Sequence, residues 1–297
     1  MTIHQALSEG RSILNTSGTD TASLDAALLL AHTMNIRREE LYMRLSEELR
    51  AVHYEKYLML LERRRQGEPA AWILGRKEFW GRNFTVGPGV LTPRPDSEIL
   101  IEKALEFMDS PNCPSSDNSG KNSFPLRLFD CCTGPGTLAL TLAAERPEWH
   151  VSAGDICPKA EEFFQINNTN LTGGKVHFRR GNLMEQESGP FSLVVSNPPY
   201  LTPEETAERR RQGWKEPSLA LNGGGADGLD IIRRLIPQVF SRLLPGGALF
   251  IEASPPQMPI IRNIFLENGF ENPGIYEDLG RRERVICSIK PPEESTL

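Results

Sequence analysis

The fold of this chain is decided by the stretch LRLFDCCTGPGTLALTLA, which runs from Leu126 to Ala143. Its first half is an apolar run that predicts a strand, and its second half predicts a helix that begins after the glycines. The same order repeats to the C-terminus. Further strands are predicted in HVSAGD, KVHFRRGN, FSLVVSNPPY, GALFIEA and RVICSI, and further helices in PKAEEFFQINNTN, LDIIRRLIPQVFSRL and QMPIIRNIFLENG. This alternation favours an α/β fold, a mainly parallel sheet with helices on both faces.

The chain before this stretch has a different pattern. Residues 1–75 predict a small N-terminal helical bundle, because apolar residues recur at spacings of three and four and the connections are short. Lys77–Glu98 predicts a β-hairpin linker with a turn at Gly87-Pro88-Gly89. We therefore expect a helical domain at 1–75, a hairpin linker at 76–97 and an α/β domain at 98–297. Within that domain, Ser110–Ser123 is rich in Pro, Ser and Asn, which predicts a surface loop.

The bulk composition restricts the class of protein. A chain of 297 residues with 39% hydrophobic and 24% charged residues is ordinary for one or two globular domains. No window approaches the roughly 20 apolar residues of a membrane span, and the N-terminus does not resemble a secretory signal. Five cysteines without metal-ligand spacing predict free thiols in a reducing cytoplasm and no metal site.

The charge pattern bears on nucleic acid as a partner. The net charge of −6 speaks weakly against nucleic acid as the main partner, because neutralising phosphates takes clustered Lys and Arg. The run Arg63-Arg64-Arg65 predicts a solvated helix face, with a contact to RNA as the alternative.

Polar residues follow three of the predicted strands, at the edge where parallel sheets bind their ligands. The first group is the turn from Cys132 to Gly136, whose glycines allow a tight bend and a close approach to a ligand. The second is Asp155, placed where a carboxylate can accept hydrogen bonds from a ribose diol. An ordinary glycine-rich turn and a helix N-cap are the alternatives. Taken together, the two groups favour a nucleoside-type cofactor.

The third group is the tetrad Asn197-Pro198-Pro199-Tyr200. It resembles the motif of S-adenosylmethionine-dependent enzymes that methylate planar nitrogens. Such a nitrogen is a poor nucleophile because its lone pair is delocalised. An Asn oxygen and a proline-fixed backbone carbonyl can accept its two N–H groups and stabilise the developing positive charge, while an aromatic ring covers its flat face. A proline-rich turn that ends a strand is the alternative.

A longer resemblance covers nearly the whole chain. Gly67–Glu98, Glu216–Ile236 and Asp278–Ile286 are, together with the glycine-rich turn and the tetrad, similar to the release factor glutamine methyltransferases of the PrmC/HemK family. The resemblance implies a Rossmann-like class I methyltransferase sheet behind a helical substrate-binding domain and a hairpin linker. It also implies methylation of the side-chain amide nitrogen (N5) of the glutamine in the Gly-Gly-Gln motif of class I peptide chain release factors. The donor would be S-adenosyl-L-methionine and the product S-adenosyl-L-homocysteine.

The same resemblance implies roles for the residues at the strand ends. The turn would lie against the methionine part of the cofactor, Asp155 would bind the ribose hydroxyls, and Asn182 and Leu183 would flank the adenine. Asn197 would contact both cofactor and substrate, and the tetrad would hold the glutamine amide. The residues of the turn and of the tetrad are Cys132, Thr133, Gly134, Pro135, Gly136, Asn197, Pro198, Pro199 and Tyr200.

Three positions depart from the family pattern. The family usually has Gly where Cys132 stands, an acid where Asn182 stands and often an aromatic residue where Leu183 stands. We expect a slightly different loop at Cys132. Asn182 can still accept a hydrogen bond from an adenine amino group, whereas Leu183 can only pack. Cofactor binding is expected to survive in weaker form.

Two other functions stay open from the residues alone. The same tetrad serves enzymes that methylate the amino group of adenine or guanine in DNA or rRNA, which need a basic surface or a base-flipping pocket. A protein that has lost its activity, and serves as a non-catalytic cofactor-binding or scaffold protein, is the second alternative, supported only by the departures at Cys132 and Asn182. In the family pattern Arg94 and Glu98 lie near the site; a salt bridge and a helix-start acid are their structural interpretations.

Overall fold

The computed structural model of the chain describes residues 1–111, 113, 114 and 126–292. Two compact units divide the chain. The first comprises 1–77, 86–88 and 208–215, and the second comprises 78–85, 89–207 and 216–297. The predicted surface loop Ser110–Ser123 lies for the most part outside the described residues. The division at residues 75 and 97 stays a prediction.

The first unit is a bundle of helices, as predicted. The helices are α1 (Ile3–Thr16), α2 (Ala22–Met34), α3 (Arg38–Met43), α4 (Ala51–Arg65) and α5 (Ala70–Leu74). A capping box between Thr2 and Gln5 starts α1. α2 packs against α1 and α4, and apolar side chains fill the space between these helices. The largest of them are fully buried: Leu14, Leu29, Leu30 and Tyr57.

The arginine run at the end of α4 is neutralised inside the first unit. Each of the three guanidinium groups pairs with a carboxylate of the same unit. The pairs are Arg63–Glu68, Arg64–Asp25 and Arg65–Glu62, at 2.5, 2.7 and 2.7 Å. Arg63 and Arg65 remain about half exposed, which agrees with a solvated helix face.

A two-stranded hairpin follows, formed by β1 (Arg76–Phe79) and β2 (Arg82–Thr85). Its loop is Trp80-Gly81, with φ values of 51° and 70°, and two-residue hairpin loops with positive φ at both positions match the twist of the strands. The predicted hairpin is confirmed and Pro88-Gly89 does form a turn, but the prediction that Gly87-Pro88-Gly89 is the turn of the hairpin is wrong. Those residues come after the second strand.

The second unit is built on a seven-stranded sheet. Its strands are β3 (Arg127–Cys131), β4 (His150–Asp155), β5 (His177–Arg180), β6 (Phe191–Ser196), β7 (Leu243–Glu252), β8 (Glu271–Glu277) and β9 (Glu283–Ile289). The spatial order is β5-β4-β3-β6-β7-β9-β8. The first five strands of that order pair in parallel, and β9 and β8 are antiparallel additions. The sequence did not predict β8.

Helices cover both faces of this sheet. They are α6 (Glu98–Met108), α7 (Thr137–Glu145), α8 (Pro158–Thr172), α10 (Asp230–Arg242) and α11 (Met258–Glu267), whereas α9 (Pro203–Arg211) follows the tetrad and buries only Thr206. α7 packs against α6 and α8, while α10 packs against α11. Every residue of β6 is buried, as expected for a central strand covered on both faces. Within the described part of the chain, no helix is long and apolar enough to cross a bilayer.

The order of the strands fixes where a ligand can bind. From β3 the chain moves outward through β4 to β5, then returns to the other side of β3 to form β6 and β7. The connections on the two sides therefore leave the sheet in opposite directions, which opens a crevice beyond the carboxyl ends of β3 and β6. The glycine-rich turn follows β3, and the tetrad follows β6.

A buried amide joins the hairpin to the turn after β3. The Asn167 side chain, fully buried in α8, accepts a hydrogen bond from Thr85 N at 2.7 Å and donates to Thr85 O at 3.0 Å. The same Nδ2 also donates to Pro135 O at 2.9 Å. Three backbone groups on two separate segments are thereby satisfied by a single side chain.

We expect Asn167→Ala to lower the free energy of unfolding by about 2–3 kcal/mol, because three hydrogen bonds are lost and buried backbone groups are left without partners. Denaturant unfolding followed by circular dichroism measures the change. Asn170→Ala is the matched control, since Asn170 is an exposed residue of the same helix. Equal effects of the two substitutions would contradict the linking role.

Candidate active site

A pocket of about 320 Å³ lies at the carboxyl ends of β3, β4 and β6. Most residues singled out from the sequence line it: Cys132, Thr133, Gly134, Pro135, Asp155, Asn182, Leu183, Asn197 and Pro199. Gly136, Pro198 and Tyr200 lie beside the pocket without lining it. The topology therefore brings segments that are far apart in sequence to one cavity.

The turn after β3 depends on left-handed backbone. Cys132, Gly134 and Gly136 have φ values of 62°, 57° and 92°. A Cβ on Gly136 would lie 2.6 Å from Leu140 Cδ1 and 2.9 Å from Phe164 Cδ2, so this position excludes any side chain. Cys132 takes up the conformation that a glycine adopts without strain, at a cost of roughly 1–2 kcal/mol. The departure from the family pattern at Cys132 thus adds strain while the backbone stays left-handed.

Asp130, next to the last residue of β3, is a buried carboxylate that the sequence analysis did not select. It is 0% exposed, and its Oδ2 accepts hydrogen bonds from Thr133 Oγ1 at 2.6 Å and from Ala139 N at 3.0 Å. Its Oδ1 has no hydrogen-bond partner among the described residues, although Asp130 lines the pocket. Burial raises the pKa of Asp130 to about 7. An acceptor of this kind fits a ligand that carries N–H donors.

Asp155, the last residue of β4, ties two turns together. Its Oδ2 accepts a hydrogen bond from Gly134 N, and its Oδ1 accepts one from Cys157 N, both at 2.9 Å. Burial raises the pKa of Asp155. The N-cap of α8 is Cys157 and makes no side-chain capping bond, so Asp155 does not act as that cap. A carboxylate has about four acceptor positions; Gly134 N and Cys157 N take two of them, and the Ile156 N–H also stabilises the charged form.

Asn182 and Leu183 follow β5 at the rim of the pocket. Asn182 Nδ2 donates one of its two N–H groups to Glu185 Oε1 at 2.8 Å, and its amide oxygen is the acceptor that it can offer to a ligand. Leu183 has a φ of 54°, which is unusual for a bulky residue, and packs against the core of the sheet.

The tetrad after β6 is held by a buried carboxylate that the sequence analysis also missed. Glu252, the last residue of β7, is 1% exposed. Its Oε2 accepts a hydrogen bond from Ser97 Oγ at 2.5 Å, and its Oε1 accepts one from Tyr200 OH at 3.3 Å. Asn197 Nδ2 in turn donates to Ser97 Oγ at 3.3 Å. Glu252 and Ser97 have no local motif, because 155 residues separate them along the chain.

Tyr200 is held at its phenol and at its backbone carbonyl. Burial, followed by the nearby Glu252 carboxylate, raises the pKa of the Tyr200 phenol, so the phenol stays a hydrogen-bond donor. The Tyr200 carbonyl accepts a hydrogen bond from Gln257 Nε2 at 2.7 Å. The ring packs against the hydrophobic core behind the pocket.

Arg94 and Glu98 have the structural contacts that were the alternatives to a role in the site. Arg94 pairs with Glu216, a 3% exposed carboxylate that also accepts a hydrogen bond from Thr92 N at 3.0 Å. Arg94 also lines the pocket. Glu98 is the first residue of α6 and accepts a hydrogen bond from Trp80 N at 3.3 Å.

The pocket is lined by the acceptor groups of Asp130, Asp155, Asn182 and Asn197, together with the guanidinium groups of Arg94 and Arg234. Carboxylates stand near the ends of β3, β4 and β7, and an amide follows β6. Within residues 1–111, 113, 114 and 126–292, no three His, Cys, Asp or Glu side chains are grouped closely enough to hold a metal ion. Such an arrangement can bind a polyol and orient amino groups.

Comparisons with known proteins bear on the family and on the fold. The model of the PrmC N-terminal domain matches residues 5–75, and that of the methyltransferase small domain matches residues 121–213. The chain is 35% identical to a release factor glutamine methyltransferase of Koribacter versatilis, over 98% of this chain and 99% of the relative. It is 33% identical to one of Deinococcus radiodurans, over 96% and 98%. A methyltransferase structure from Pyrococcus furiosus shares the fold, with a TM-score of 0.51 at 16% identity over 72% of this chain and 92% of that one.

We expect Asp130→Asn to stabilise the protein, and more so at pH 8 than at pH 5. The folded-state pKa of about 7 lies above the ordinary value of 3.8, so wild-type stability falls as pH rises through this window. The neutral amide keeps an acceptor for Thr133 and Ala139 and carries no buried charge. The gain at pH 8 should be on the order of 2 kcal/mol in denaturant unfolding.

Asp20→Asn controls for the loss of one negative charge, since Asp20 is exposed. A stability difference between wild type and Asp130→Asn that is the same at both pH values would show that the desolvated charge is not responsible.

Proposed function

The chain belongs to the family of release factor glutamine methyltransferases, and on that premise we propose that it methylates the side-chain amide nitrogen (N5) of the glutamine in the Gly-Gly-Gln motif of class I peptide chain release factors. We propose S-adenosyl-L-methionine as the donor and S-adenosyl-L-homocysteine as the product. The observation that carries the proposal is the fixed Asn197 amide: its Nδ2 is engaged by Ser97, so its oxygen is the acceptor left for a substrate amino group.

The residues around the pocket fit this cofactor. Asp130 Oδ1, which has no hydrogen-bond partner in the described part of the chain, suits the ammonium group of its methionine part, and the remaining acceptor capacity of Asp155 suits the ribose hydroxyls. The Asn182 oxygen suits the adenine amino group, and Leu183 offers an apolar contact to the ring. A volume of about 320 Å³ lies within the range of small-molecule and cofactor sites. The turn Cys132–Gly136 leaves room for a close backbone approach.

The cofactor, when bound, supplies a methyl group on a positively charged sulfur. The protein then has to present an amide nitrogen whose lone pair is delocalised. We propose that Asn197 Oδ1 and the Pro198 carbonyl accept the two N–H groups of the substrate amide and orient its lone pair toward the pocket. The same acceptors stabilise the positive charge that develops on nitrogen, and the proton leaves to solvent. Pro199 and Tyr200 complete the tetrad, with the Tyr200 ring proposed to cover the amide.

The domain roles are part of the proposal. Residues 1–75 are proposed to bind the release factor, 76–97 to form the linker and 98–297 to carry catalysis. Because translation termination takes place in the cytoplasm, we place the activity there.

Mass spectrometry tests the proposal most directly. A release factor that contains Gly-Gly-Gln, incubated with the protein and S-adenosyl-L-methionine, should gain one methyl group on the glutamine. DNA and rRNA are tested in parallel, since the tetrad also serves amino-group methyltransferases of adenine and guanine. Methylation of a nucleic acid in place of the release factor would overturn the assignment.

We expect Asn197→Ala to reduce methylation of the release factor by at least about 100-fold, because the substrate amide loses an oriented acceptor. Thermal unfolding and calorimetric titration with S-adenosyl-L-methionine should stay close to wild type. Turnover near the wild-type rate would refute the role of Asn197.

We expect Asp155→Asn to weaken binding of S-adenosyl-L-methionine by about 10-fold or more, because hydrogen bonds to a charged acceptor are lost. Isothermal titration calorimetry measures the affinity, with Asp20→Asn as the matched control. A wild-type protein that does not bind this cofactor at all would favour the inactive scaffold.

A further inference from the structure

We propose that Ser97 and Glu252 are positioning residues for methyl transfer, because they fix the Asn197 amide in one of its two orientations. The inference rests on the proposed function and adds two side chains to it. Neither belongs to the tetrad, and each lies in a different segment of the second unit. Ser97 ends a short 3-10 turn before α6, and Glu252 ends β7.

The direction of the hydrogen bonds carries the argument. An ionised carboxylate only accepts, so the Ser97 hydroxyl must donate to Glu252 Oε2, at 2.5 Å. Only lone pairs of the Ser97 oxygen then face Asn197, at 3.3 Å. The Asn197 atom on this side must therefore be the NH₂ group. In the hydrogen-bond series from Asn197 through Ser97 to Glu252, every bond is donated in the direction of Glu252. This direction sets which end of the Asn197 amide meets the substrate.

The other amide orientation would prevent the reaction. A rotation of Asn197 by half a turn would aim its NH₂ group at the substrate, whose nitrogen also carries N–H groups. Two donors would face each other, and the substrate amide would lose its acceptor. Because the two ends of an Asn side chain have nearly the same shape, packing alone discriminates poorly between them.

Burial raises the pKa of Glu252, while the hydroxyl donors of Ser97 and Tyr200 and the positive charge of Arg284 favour its ionised form. The guanidinium of Arg284 lies near this carboxylate, and its side chain is about 10% exposed. It also pairs with Asp278 at 3.3 Å and with Asp96 at 3.4 Å. Asp96 acts in the opposite direction, since its negative charge disfavours a second carboxylate nearby. Glu252 Oε1 also accepts the Tyr200 hydroxyl, so one carboxylate holds both ends of the tetrad.

Burial gives the arrangement its precision. Ser97 is 2% exposed and Glu252 is 1% exposed, so water does not compete for either group. Fixed groups that hold an acceptor within a fraction of an ångström affect the rate of the chemical step more than the binding of the cofactor. The effect of disturbing them is expected in kcat.

The sharpest variant is Glu252→Gln, which keeps the shape and removes the buried charge. A Gln side chain can donate to Ser97, and Ser97 can then donate to Asn197 Oδ1, which reverses the direction of the hydrogen-bond series. We expect kcat on the release factor to fall by about 10- to 100-fold. Affinity for S-adenosyl-L-methionine and the melting temperature should stay near wild type or rise, because a buried charge is removed.

Matched variants separate orientation from stability. Ser97→Ala should lower kcat to a similar extent, and Ser97→Thr, which keeps the hydroxyl, should restore most of it. Glu187→Gln replaces another buried carboxylate, and Ser288→Ala removes another buried hydroxyl, which donates to Glu271 O at 2.6 Å. Neither of these controls lines the pocket, and neither should change kcat.

The outcomes of this experiment are distinguishable. The first outcome is that the wild-type protein methylates the release factor and Glu252→Gln turns it over within about 3-fold of wild type, roughly 0.7 kcal/mol. This result overturns the orientation argument and leaves the proposed function standing. The orientation argument is overturned as well if the fall in kcat comes with a similar fold-loss of cofactor affinity, or with a clear drop in melting temperature. Absence of any methylation by the wild-type protein refutes the proposed function, and the inference with it.

Discussion

The pocket depends on the free energy cost of removing carboxylates from water at the ends of parallel strands. Asp130, Asp155 and Glu252 stand at or next to the ends of β3, β4 and β7, and burial raises the pKa of each. A buried carboxylate persists only where donors surround it. Backbone N–H groups of the turns and the hydroxyls of Thr133, Ser97 and Tyr200 supply those donors. The shape of the turns and the position of the tetrad follow from satisfying these charges.

This constraint explains what the sequence could and could not predict. The strand and helix periods, the hairpin and the strand-end motifs are local signals, and seven of the residues that the motifs indicated line one pocket, together with Asn182 and Leu183, which the family resemblance indicated. Glu252 and Ser97 gave no local signal because their partners come from distant segments. Asp130 lies within the predicted strand after Leu126, and a single acidic residue inside a strand gives no sequence signal that it contacts a ligand. The hairpin turn was misplaced because Gly87-Pro88-Gly89 is a stronger turn signal than Trp80-Gly81, which adopts the positive φ values.

The strain in the pocket has a local origin. Cys132 and Leu183 both line the pocket and both occupy left-handed backbone that favours glycine. Residues in such conformations persist when their surroundings determine them. For Cys132 the neighbouring turn is fixed by Asp155 through Gly134, and for Leu183 the side chain is held by the core. At these two positions the left-handed backbone is thus set by the surrounding hydrogen bonds and packing, and not by the residue itself.

The outer strand β8 has a consequence for how the protein meets other copies of itself. Unpaired strands at the border of a sheet can add a strand from a second chain. Asn272 has a φ of 49°, the pairing register of β8 shifts between Glu271 and Gly274, and Pro273 has no N–H to donate. The opposite border, β5, is only four residues long and carries two arginines. Asn272 and Pro273 make β8 hard to recognise as a strand from sequence. The same two residues disfavour the addition of a strand from a second chain at this border of the sheet.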